Sequence, residues 1–538
     1  MNAKADSCAD VLAKELYAAG IRYVFGHPGG EVVDLIEALA RHNIEFILVG
    51  HESAAAFMAA TIGRITGIPG ACLSTLGPGA CNLLLGIGSA LLDRDPMLAI
   101  SARSASDVSR KNQKQDIPLN DIFEPASKWS EALDGINTRS KIARAIKLAG
   151  QSPKGPVFLS LPTVIALKPD YESEGQDHEE INAIATNDNL SRLATVLNQA
   201  STPVGIIGMA LEPEKDAKAV RNFFSKTGIP FAVLPQAKGI GDEDAENFLG
   251  VVASAAGDSH IIKCIEKSDV VIGFGFDTVE SAQSWHFDRR ILSIANASIA
   301  YGEFIPMIEC IGDVDKLAIQ LTDSYDSVHL WSDTDIENVQ RHVKLDIEPN
   351  QSSSDVGLSP FHTLKLLQET LPSETIVSVD VGAHKMLTSQ AWRSTAPGSF
   401  LVSNGMSSMG YGVPAALAAS LMNPERPVIG IIGDGGFGMM VQELETAVRM
   451  GVKPLLIVFC DRSLAVIKIA QKNRNLPHRG VDFRPVNWAQ VVSGFGVRAV
   501  NVSTLDELSE TVVDWLKEQE LTVVAVTIDE TLYRGLTY

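Results

Sequence analysis

The sequence lacks the usual features of a secreted, membrane-spanning or zinc-binding protein. Its six cysteines, at positions 8, 72, 81, 264, 310 and 460, form no CxxC pair, so reduced core thiols are expected rather than disulfides or zinc ligands. No apolar run approaches the ~20 residues that a membrane span requires, and the first residues lack the hydrophobic core of a signal peptide. We therefore expect a cytoplasmic protein without a membrane partner.

Positive charge is also scarce. Lysine and arginine together number 45 against 65 aspartates and glutamates, which gives a formal net charge of −20. This balance argues against nucleic acid or an anionic membrane surface as a partner. At 538 residues, with 45% hydrophobic residues, the chain has room for roughly three domains, each able to bury its own core.

Two polar stretches divide the chain into three regions that each alternate helix and strand. Residues 171–188 are acidic and polar, and residues 348–355 are polar and serine-rich. We therefore expect three doubly wound α/β domains with parallel sheets, at residues 1–170, 190–335 and 358–538.

The most informative stretch lies in the third region. Residues 428–438 read VIGIIGDGGFG, a continuously apolar strand that runs into a glycine-rich turn carrying Asp434. A helix-period segment follows, with four apolar side chains predicted on one face: Met440, Leu444, Ala447 and Val448. A second apolar strand then ends just before Asp461. Parallel strands joined by a right-handed crossover would place both aspartates at the carboxyl edge of a sheet, where open α/β folds bind ligands.

These residue types suit a diphosphate held through a metal ion. Three glycines would let the backbone turn freely and approach an anion: Gly433, Gly435 and Gly436. A helix expected to begin near Gly436 would offer N–H groups to phosphate. Mg2+ accepts one or two carboxylates together with phosphate oxygens, so we predict Asp434, Asp461 and the carbonyl of Ser463 as its ligands. The alternative is a glycine turn with two solvated aspartates.

Three further motifs lie in the first region. They are residues 25–30 (FGHPGG), 51–55 (HESAA) and 76–82 (LGPGACN). Glu52 precedes a helix of small residues that would surround its carboxyl with apolar groups and keep its pKa usefully high. Taken alone, His51-Glu52 is a charged first turn that suits the helix dipole.

Together these motifs resemble those of the thiamine diphosphate (ThDP)-dependent enzymes, and their order and spacing resemble the acetolactate synthase branch in particular. Gly433-Asp434-Gly435, then twenty-five residues and Asp461, is similar to the family's diphosphate-binding motif, which usually ends in asparagine. The resemblance covers nearly the whole chain. It implies a pyrimidine-binding domain, a middle domain and a diphosphate-binding domain.

The resemblance also implies roles for single residues. Glu52 would bond the aminopyrimidine ring and favour its imino tautomer, and Met409 would be an apolar wedge between the two cofactor rings, unless it simply packs in the core. Other expected cofactor-contacting residues are Gly29, Pro78, Asn82, Gly382, Ala383, His384, Gly433, Asp434, Gly435, Gly436, Asp461 and Ile467.

The substrate side is less closely defined. Gln115 has the spacing of a glutamine that lines the substrate pocket in acetolactate synthases, although it could be an ordinary loop residue. His27 stands where those enzymes carry a tyrosine or an aliphatic residue, and could donate a proton, bind an acidic substrate or only fill space. Ala295 and Ala297 stand where flavin-binding relatives have aspartates, so FAD is not expected.

The resemblance implies a ThDP- and Mg2+-dependent lyase or transferase. It would decarboxylate a pyruvate-like 2-oxo acid and transfer the acyl carbanion to a second carbonyl. The alternatives are simple decarboxylation to an aldehyde, an acetyltransferase or lyase reaction on a functionalised substrate, flavin-dependent oxidation, and a non-catalytic binding role. A homodimer or homotetramer with active sites at the subunit interface is also implied.

Overall fold

The computed structural model describes residues 6–104, 114–171, 189–280, 290–300 and 305–537. These residues form three six-stranded sheets in which the paired strands run parallel. The central strands are buried, as expected for sheets covered by helices on both faces, whereas the outer strands β2, β5 and β17 are largely half-buried or exposed. The prediction of three doubly wound parallel α/β folds is confirmed. The predicted linker, residues 171–188, lies almost entirely outside the described residues.

The chain forms two compact units. The first takes in Met1–Ala183, as far as these residues are described, together with Leu417–Met422 and Gln442–Gly451. The second takes in Ile184–Ala416, Asn423–Val441 and Val452–Tyr538, and it contains the second and third sheets. The three expected domain limits stay predictions.

The first sheet belongs to the first unit. Its strands are β1 (Tyr23–His27), β2 (Glu45–Leu48), β3 (Gly70–Ser74), β4 (Met97–Arg103), β5 (Ser130–Ala132) and β6 (Pro156–Pro162). Its helices are α1 (Cys8–Ala18), α2 (Val33–Arg41), α3 (Glu52–Thr66), α4 (Pro78–Leu92), α5 (Leu119–Phe123), α6 (Thr138–Gly150) and α7 (Thr163–Ala166). The strand order is β2-β1-β3-β4-β6-β5.

Helices α3 and α4 pack closely because both are rich in small residues. A Cβ added at Gly86 in α4 would lie only 2.4 Å from the Cβ of Ala56 in α3. Glycine at this position therefore sets the separation of the two helices. The close packing brings together their first turns, which start at Glu52 and Pro78.

The second sheet lies in the second unit. Its strands are β7 (Val204–Ile207), β8 (Phe231–Val233), β9 (Phe248–Val251), β10 (Val271–Phe274), β11 (Ile291–Ala295) and β12 (Ile308–Ile311). Its helices are α8 (Leu190–Gln199), α9 (Pro213–Thr227), α10 (Ser259–Lys267), α11 (Val314–Ser324) and α12 (Asp333–Ile347). In the order β12-β11-β10-β7-β8-β9, the sequence in which the chain adds strands reverses between β7 and β10.

The third sheet holds the stretch singled out from the sequence. Its strands are β13 (Ile376–Val379), β14 (Phe400–Val402), β15 (Val428–Gly433), β16 (Leu455–Cys460), β17 (Arg498–Val502) and β18 (Thr522–Thr527). The helices are α13 (Pro360–Thr370), α14 (Ala383–Ala391), α15 (Gly412–Met422), α16 (Asp434–Met440), α17 (Glu443–Met450), α18 (Ala465–Asn473), α19 (Trp488–Ser493) and α20 (Leu505–Glu518). Counted within the sheet, the order β14-β13-β15-β16-β18-β17 repeats that of the first sheet.

Three local expectations about this stretch were wrong. Strand β15 passes directly into α16, which begins at Asp434 rather than near Gly436, because Gly433 is extended and serves as the N-cap. The following helical segment is split into α16 and α17. Val448 is 50% exposed, whereas Met440 and Leu444 are buried.

Two expectations drawn from composition can also be compared with the fold. Among the described residues no helix combines the length and the apolar character that crossing a bilayer requires. All six cysteines are free, and four of them are buried. The expectation of a core thiol was wrong for Cys81, which is exposed because it lies on the outer side of α4.

Candidate functional site

Glu52 lies at the first position of α3 and is 8% exposed. Its Oε2 accepts a hydrogen bond from Nδ2 of Asn82 at 2.9 Å. Its Oε1 lies over the start of α4, where a Cβ added at Gly79 would be 2.9 Å away. The structure therefore brings Glu52 and Asn82 together beside Pro78, which opens α4. Gly79 was not among the predicted site residues, although it is the second glycine of the GPG sequence at residues 77–79.

A buried carboxylate that the sequence did not predict holds the turn before Glu52. Glu443 is fully buried, and its Oε2 accepts from the backbone N–H of Gly50 at 3.0 Å and from Oγ1 of Thr446 at 2.9 Å. Burial raises the pKa of Glu443, while these donors act in the opposite direction. No sequence pattern could have paired Glu443 with Gly50, because the two are 393 residues apart.

The other predicted residues of the first unit lie nearby along its strand ends. His27 ends β1, and its Nδ1–H donates to the carbonyl of Val49 at 2.9 Å, which leaves Nε2 of the neutral ring without a proton. A Cβ added at Gly29 would meet Oγ1 of Thr75 at 2.4 Å, so this glycine is needed for packing. The catalytic role expected for His27 stays a prediction.

Gln115 is exposed and lies beside the turn that precedes α4. Its φ angle is +63°, and its carbonyl oxygen would lie 2.9 Å from a Cβ added at Gly77. The structure thus places Gln115 next to Pro78. Gln115 therefore lies in the same region of the first unit as the other predicted residues. Its expected contact with substrate stays a prediction.

In the second unit, a cavity of about 410 Å³ contains the predicted residues of the third region. It lies at the carboxyl ends of β15 and β16. The predicted residues that line it are Gly382, Ala383, His384, Met409, Gly433, Asp434, Gly435, Gly436, Asp461, Ser463 and Ile467.

Asp434 and Asp461 follow adjacent strands of the sheet. Oδ2 of Asp434 accepts from the N–H of Arg462 at 2.9 Å, and Oδ1 of Asp461 accepts from the N–H of Ser463 at 3.0 Å. Burial raises the pKa of Asp434 to about 6. Burial, followed by the charge of Asp434, raises the pKa of Asp461 to about 7. Asp434 is buried and Asp461 is half-buried, and two such carboxylates that repel each other suit a divalent cation.

The donor set also favours one kind of cation. Within the described ranges, no group of three or more His, Cys, Asp and Glu side chains could hold a metal ion by itself. A metal at Asp434 and Asp461 would therefore complete its coordination with backbone, water or ligand oxygens, which is typical of Mg2+. The hydroxyl of Ser463 donates to Glu530, whereas the expected role of its carbonyl as a ligand stays a prediction.

Two glycines beside Asp434 accommodate side chains. A Cβ added at Gly436 would lie 1.8 Å from Oδ2 of Asp380, and one at Gly433 would lie 2.8 Å from Cε1 of His384. Neither glycine has a positive φ angle, so the turning freedom expected of them is not used. Glycine is required here because Asp380 and His384 fill the space beside the backbone.

His384 provides an unpaired polar atom at the cavity. Its side chain is buried, and Nε2 has no hydrogen-bond partner among the residues that the structure describes. Burial lowers the pKa of His384 to about 4. An unpaired buried nitrogen is costly, so a ligand that hydrogen-bonds to it would be favoured.

The loop between β14 and α15, residues 403–410, carries Met409. Nζ of the buried Lys385 donates to the carbonyl of Ser403 at 2.9 Å and to Oγ of Ser407 at 3.1 Å. At the other end, Oδ2 of Asp380 accepts from the N–H of Gly410 at 3.2 Å. These two charged side chains hold the loop that places Met409 at the cavity.

A wall of the cavity comes from residues 253–255, after β9, and the sequence did not predict this. Ala253 and Ala255 have φ angles of +63° and +57°, a region that costs energy for alanine. Gln390 in α14 holds the segment, because its Oε1 accepts from the N–H of Val251 at 2.8 Å and its Nε2 donates to the carbonyl of Ala256 at 2.8 Å. The only sequence feature that could have indicated this wall is the run of small residues that forms it.

In the second sheet, the point between β7 and β10 is where such folds bind nucleotides. There Glu280 is buried, and its Oε2 accepts from the N–H of Met209 at 2.8 Å. A Cβ added at Gly208 would lie 2.6 Å from the carbonyl oxygen of Gly275. The expectation that FAD does not bind stays a prediction.

Comparisons with known proteins place these features in one family. The models described as thiamine pyrophosphate enzyme, N-terminal TPP binding domain, central domain and C-terminal TPP binding domain match residues 6–123, 190–321 and 380–526. The chain is 28% identical to "Acetolactate synthase" of Bacillus subtilis (strain 168), over 97% of this chain and 93% of that protein.

Two further relatives have similar names. The chain is 27% identical to "Acetolactate synthase, catabolic" of Raoultella terrigena, over 97% of this chain and 95% of the relative. It is 26% identical to "Acetolactate synthase isozyme 2 large subunit" of Escherichia coli (strain K12), over 96% and 94%. With the three domain matches, these similarities show that the chain belongs to the thiamine diphosphate-dependent enzymes, in their acetolactate synthase-like branch.

Proposed function

We propose that this protein is a ThDP- and Mg2+-dependent carboligase. It decarboxylates a pyruvate-like 2-oxo acid and transfers the acyl carbanion to a second carbonyl compound, which makes it a transferase. The observation that carries the proposal is the cavity in which Asp434 and Asp461 lie at the ends of adjacent strands. The names of the acetolactate synthase relatives supply the class of reaction.

The second unit would bind the charged end of the cofactor. Asp434 and Asp461 would hold Mg2+, together with the carbonyl of Ser463, and the metal would neutralise their mutual repulsion. His384, with its unpaired Nε2, would contact the diphosphate. Met409, held on the loop at residues 403–410, would pack against the cofactor rings.

When bound, ThDP supplies a carbon nucleophile and accepts the electron pair that decarboxylation releases. Glu52 would hydrogen-bond to the aminopyrimidine ring and favour the tautomer that removes a proton from the reactive carbon. Asn82 fixes the orientation of this carboxylate. The small side chains that follow in α3 are fully buried and keep water from the start of the helix.

His27 supports a second candidate function, simple decarboxylation. Its ring is exposed at the end of β1, and only Nδ1 is used in the hydrogen bond to Val49, so Nε2 would be the atom that transfers a proton. A proton delivered by His27 would lead to an aldehyde as the product instead of a ligated one. Product analysis distinguishes the two reactions.

We also infer a homodimer, or a tetramer of two dimers, in which Glu52 of one subunit serves the metal site of another. Support comes from the family to which the chain belongs. If this is correct, isolated subunits are inactive, and activity depends on protein concentration near the dissociation constant of the dimer.

The function is tested by incubating the purified protein with Mg2+, ThDP and pyruvate and measuring acetolactate, acetaldehyde and CO2. We expect acetolactate with CO2. Glu52→Gln should abolish turnover while ThDP binding, followed by calorimetry, is retained, because the cofactor is held mainly through the metal. Acetaldehyde as the main product would favour the second candidate. Native-like activity of Glu52→Gln would contradict the role given to this residue.

A further inference from the structure

The cavity wall formed by residues 253–255 holds two alanines in an unfavourable conformation. Ala253 and Ala255 have φ angles of +63° and +57°, and both are half-buried and line the cavity. In this region the Cβ of an alanine crowds the following carbonyl oxygen, whereas glycine adopts the same angles freely. Backbone strain that the surrounding structure maintains is common at ligand-binding surfaces, so the two methyl groups call for an explanation.

The rest of the fold holds the wall in this conformation from several directions. Gln390 bonds the backbone on both sides of the wall. The N–H of Thr537, in the C-terminal segment, donates to the carbonyl of Ala255 at 2.9 Å. Oδ2 of Asp258 accepts from the N–H of Ala255 at 3.1 Å. The conformation of the alanines is therefore fixed by their surroundings and not by their own preference.

The N–H groups of the wall are already engaged. Asp258 is buried, which raises its pKa, and hydrogen bonds from the N–H groups of residues 253–255 act in the opposite direction. A carboxylate of the protein thus occupies the place that a phosphate would need if the wall were an anion cradle. What Ala253 and Ala255 add to the cavity is one methyl group each.

The polar groups that suit the charged end of a cofactor are elsewhere in the lining, at Asp434, Asp461 and the unpaired Nε2 of His384. We propose that the methyl groups of Ala253 and Ala255 form the apolar surface that receives the alkyl group of the 2-oxo acid, with Gln390 as the residue that positions them. Such a surface binds the uncharged part of a substrate by removing it from water. Its position sets the length of the alkyl group that the cavity accepts. The inference rests on the proposed function in one respect, namely that the substrate is a 2-oxo acid.

The test is the double variant Ala253→Gly/Ala255→Gly. CO2 release is measured with Mg2+ and ThDP, from pyruvate and from 2-oxopentanoate, whose alkyl chain is longer. We expect the native protein to prefer pyruvate in kcat/KM, and this preference to fall about tenfold in the variant, the size of effect known for one methylene group in an apolar pocket. The variant should melt at the same or a higher temperature, because glycine adopts a positive φ angle without a clash. A purely structural role would not lower selectivity while preserving stability.

The matched control is Gln519→Gly. Gln519 follows α20, is exposed and also has a positive φ angle, +47°, but it does not line the cavity. We expect this variant to melt at the same or a higher temperature and to keep the native preference for pyruvate.

Gln390→Met tests the positioning role separately. Without the amide, hydrogen exchange of the backbone at residues 251–256 should become faster and the preference for pyruvate should fall, while ThDP affinity in calorimetry stays native. Its control is Gln368→Met. The Gln368 amide also bonds a backbone in both directions, to the carbonyl of Arg393 at 2.8 Å and from its N–H at 3.1 Å, but away from the cavity. This control should keep the native preference.

An unchanged preference for pyruvate in the double variant would overturn the proposal, and so would a native preference for 2-oxopentanoate. A loss of ThDP affinity in place of a loss of preference would also overturn it, because the wall would then serve the cofactor. If the native protein released CO2 from neither 2-oxo acid, the proposed function would fail and this inference with it. If CO2 is released from pyruvate and only the selectivity result is negative, the proposed function stands.

Discussion

Two neighbouring carboxylates lower the stability of the metal-free protein, although both are needed to bind the metal. Replacing Asp461 by asparagine removes one of them and so separates the two effects. In the metal-free fold the pKa of Asp461 rises from 3.8 to about 7, first through burial and then through the charge of Asp434. A rise of this size corresponds to about 4 kcal/mol, at 1.36 kcal/mol per pH unit. Part of this free energy is repulsion within the pair, since the charge of Asp434 follows burial among the causes that raise the pKa of Asp461.

The direction of the pH effect follows from linkage. A carboxyl group whose pKa is raised by folding stabilises the fold fully below its unfolded pKa, and this contribution is lost as the pH rises through the folded value. For Asp461 the loss runs from about pH 4 to about pH 7. Without metal, the native protein should lose up to about 4 kcal/mol of unfolding free energy over this range. Asp461→Asn should lose much less and be the more stable protein at pH 8.

The assay is urea unfolding between pH 5 and pH 8 in the presence of a metal chelator. Mg2+ with ThDP should restore much of the stability that the native protein loses, because binding neutralises both carboxylates. Asp244→Asn, at an exposed position, is the control and should follow the native curve. Equal pH slopes for the native protein and Asp461→Asn would refute the reasoning, because folding would then not raise the pKa of Asp461.

The other predictions concern binding and assembly. Asp434→Ala should lose ThDP binding in calorimetry at any practical Mg2+ concentration, and retained binding would refute a metal-mediated site. Glu52→Gln and Asp434→Ala chains should each be inactive alone. When the two are co-expressed, about a quarter of native activity should return if each active site takes one of these residues from each subunit of a dimer. No recovery would indicate that each active site lies within a single chain. Lys385→Met should lower kcat about tenfold while ThDP still binds, because the loop carrying Met409 is no longer held. The exposed Lys365→Met is its control, and equal kcat in both variants would contradict the holding role.

The elements that the sequence predicted well are those with strong local patterns. Continuous apolar strands ending in glycine or a charged residue gave the three parallel sheets, and the strand ends located Asp434 and Asp461. In each case the sequence pattern and the structural feature that it predicts lie in the same short segment. Residues that are close in the sequence are therefore sufficient for the prediction.

The elements that were missed depend on contacts between distant segments. Glu443 lies far from Gly50 in the sequence, and the wall formed by residues 253–255 comes from a different sheet than the aspartates it faces. The function of Gly436 was misread for the same reason. Its lack of a side chain suggested a turn, whereas the actual requirement is the carboxylate of Asp380, which only tertiary packing brings to that position.

Because the first and third sheets have the same strand order, equivalent positions at the carboxyl ends of their strands can be compared. After the third strand in chain order the first sheet has Gly77 and Pro78, and the last sheet has Asp434. A corresponding position would thus serve an aromatic ring in one copy and a metal-bound tail in the other. The second sheet has a different strand order, so its edge offers no counterpart of these two positions.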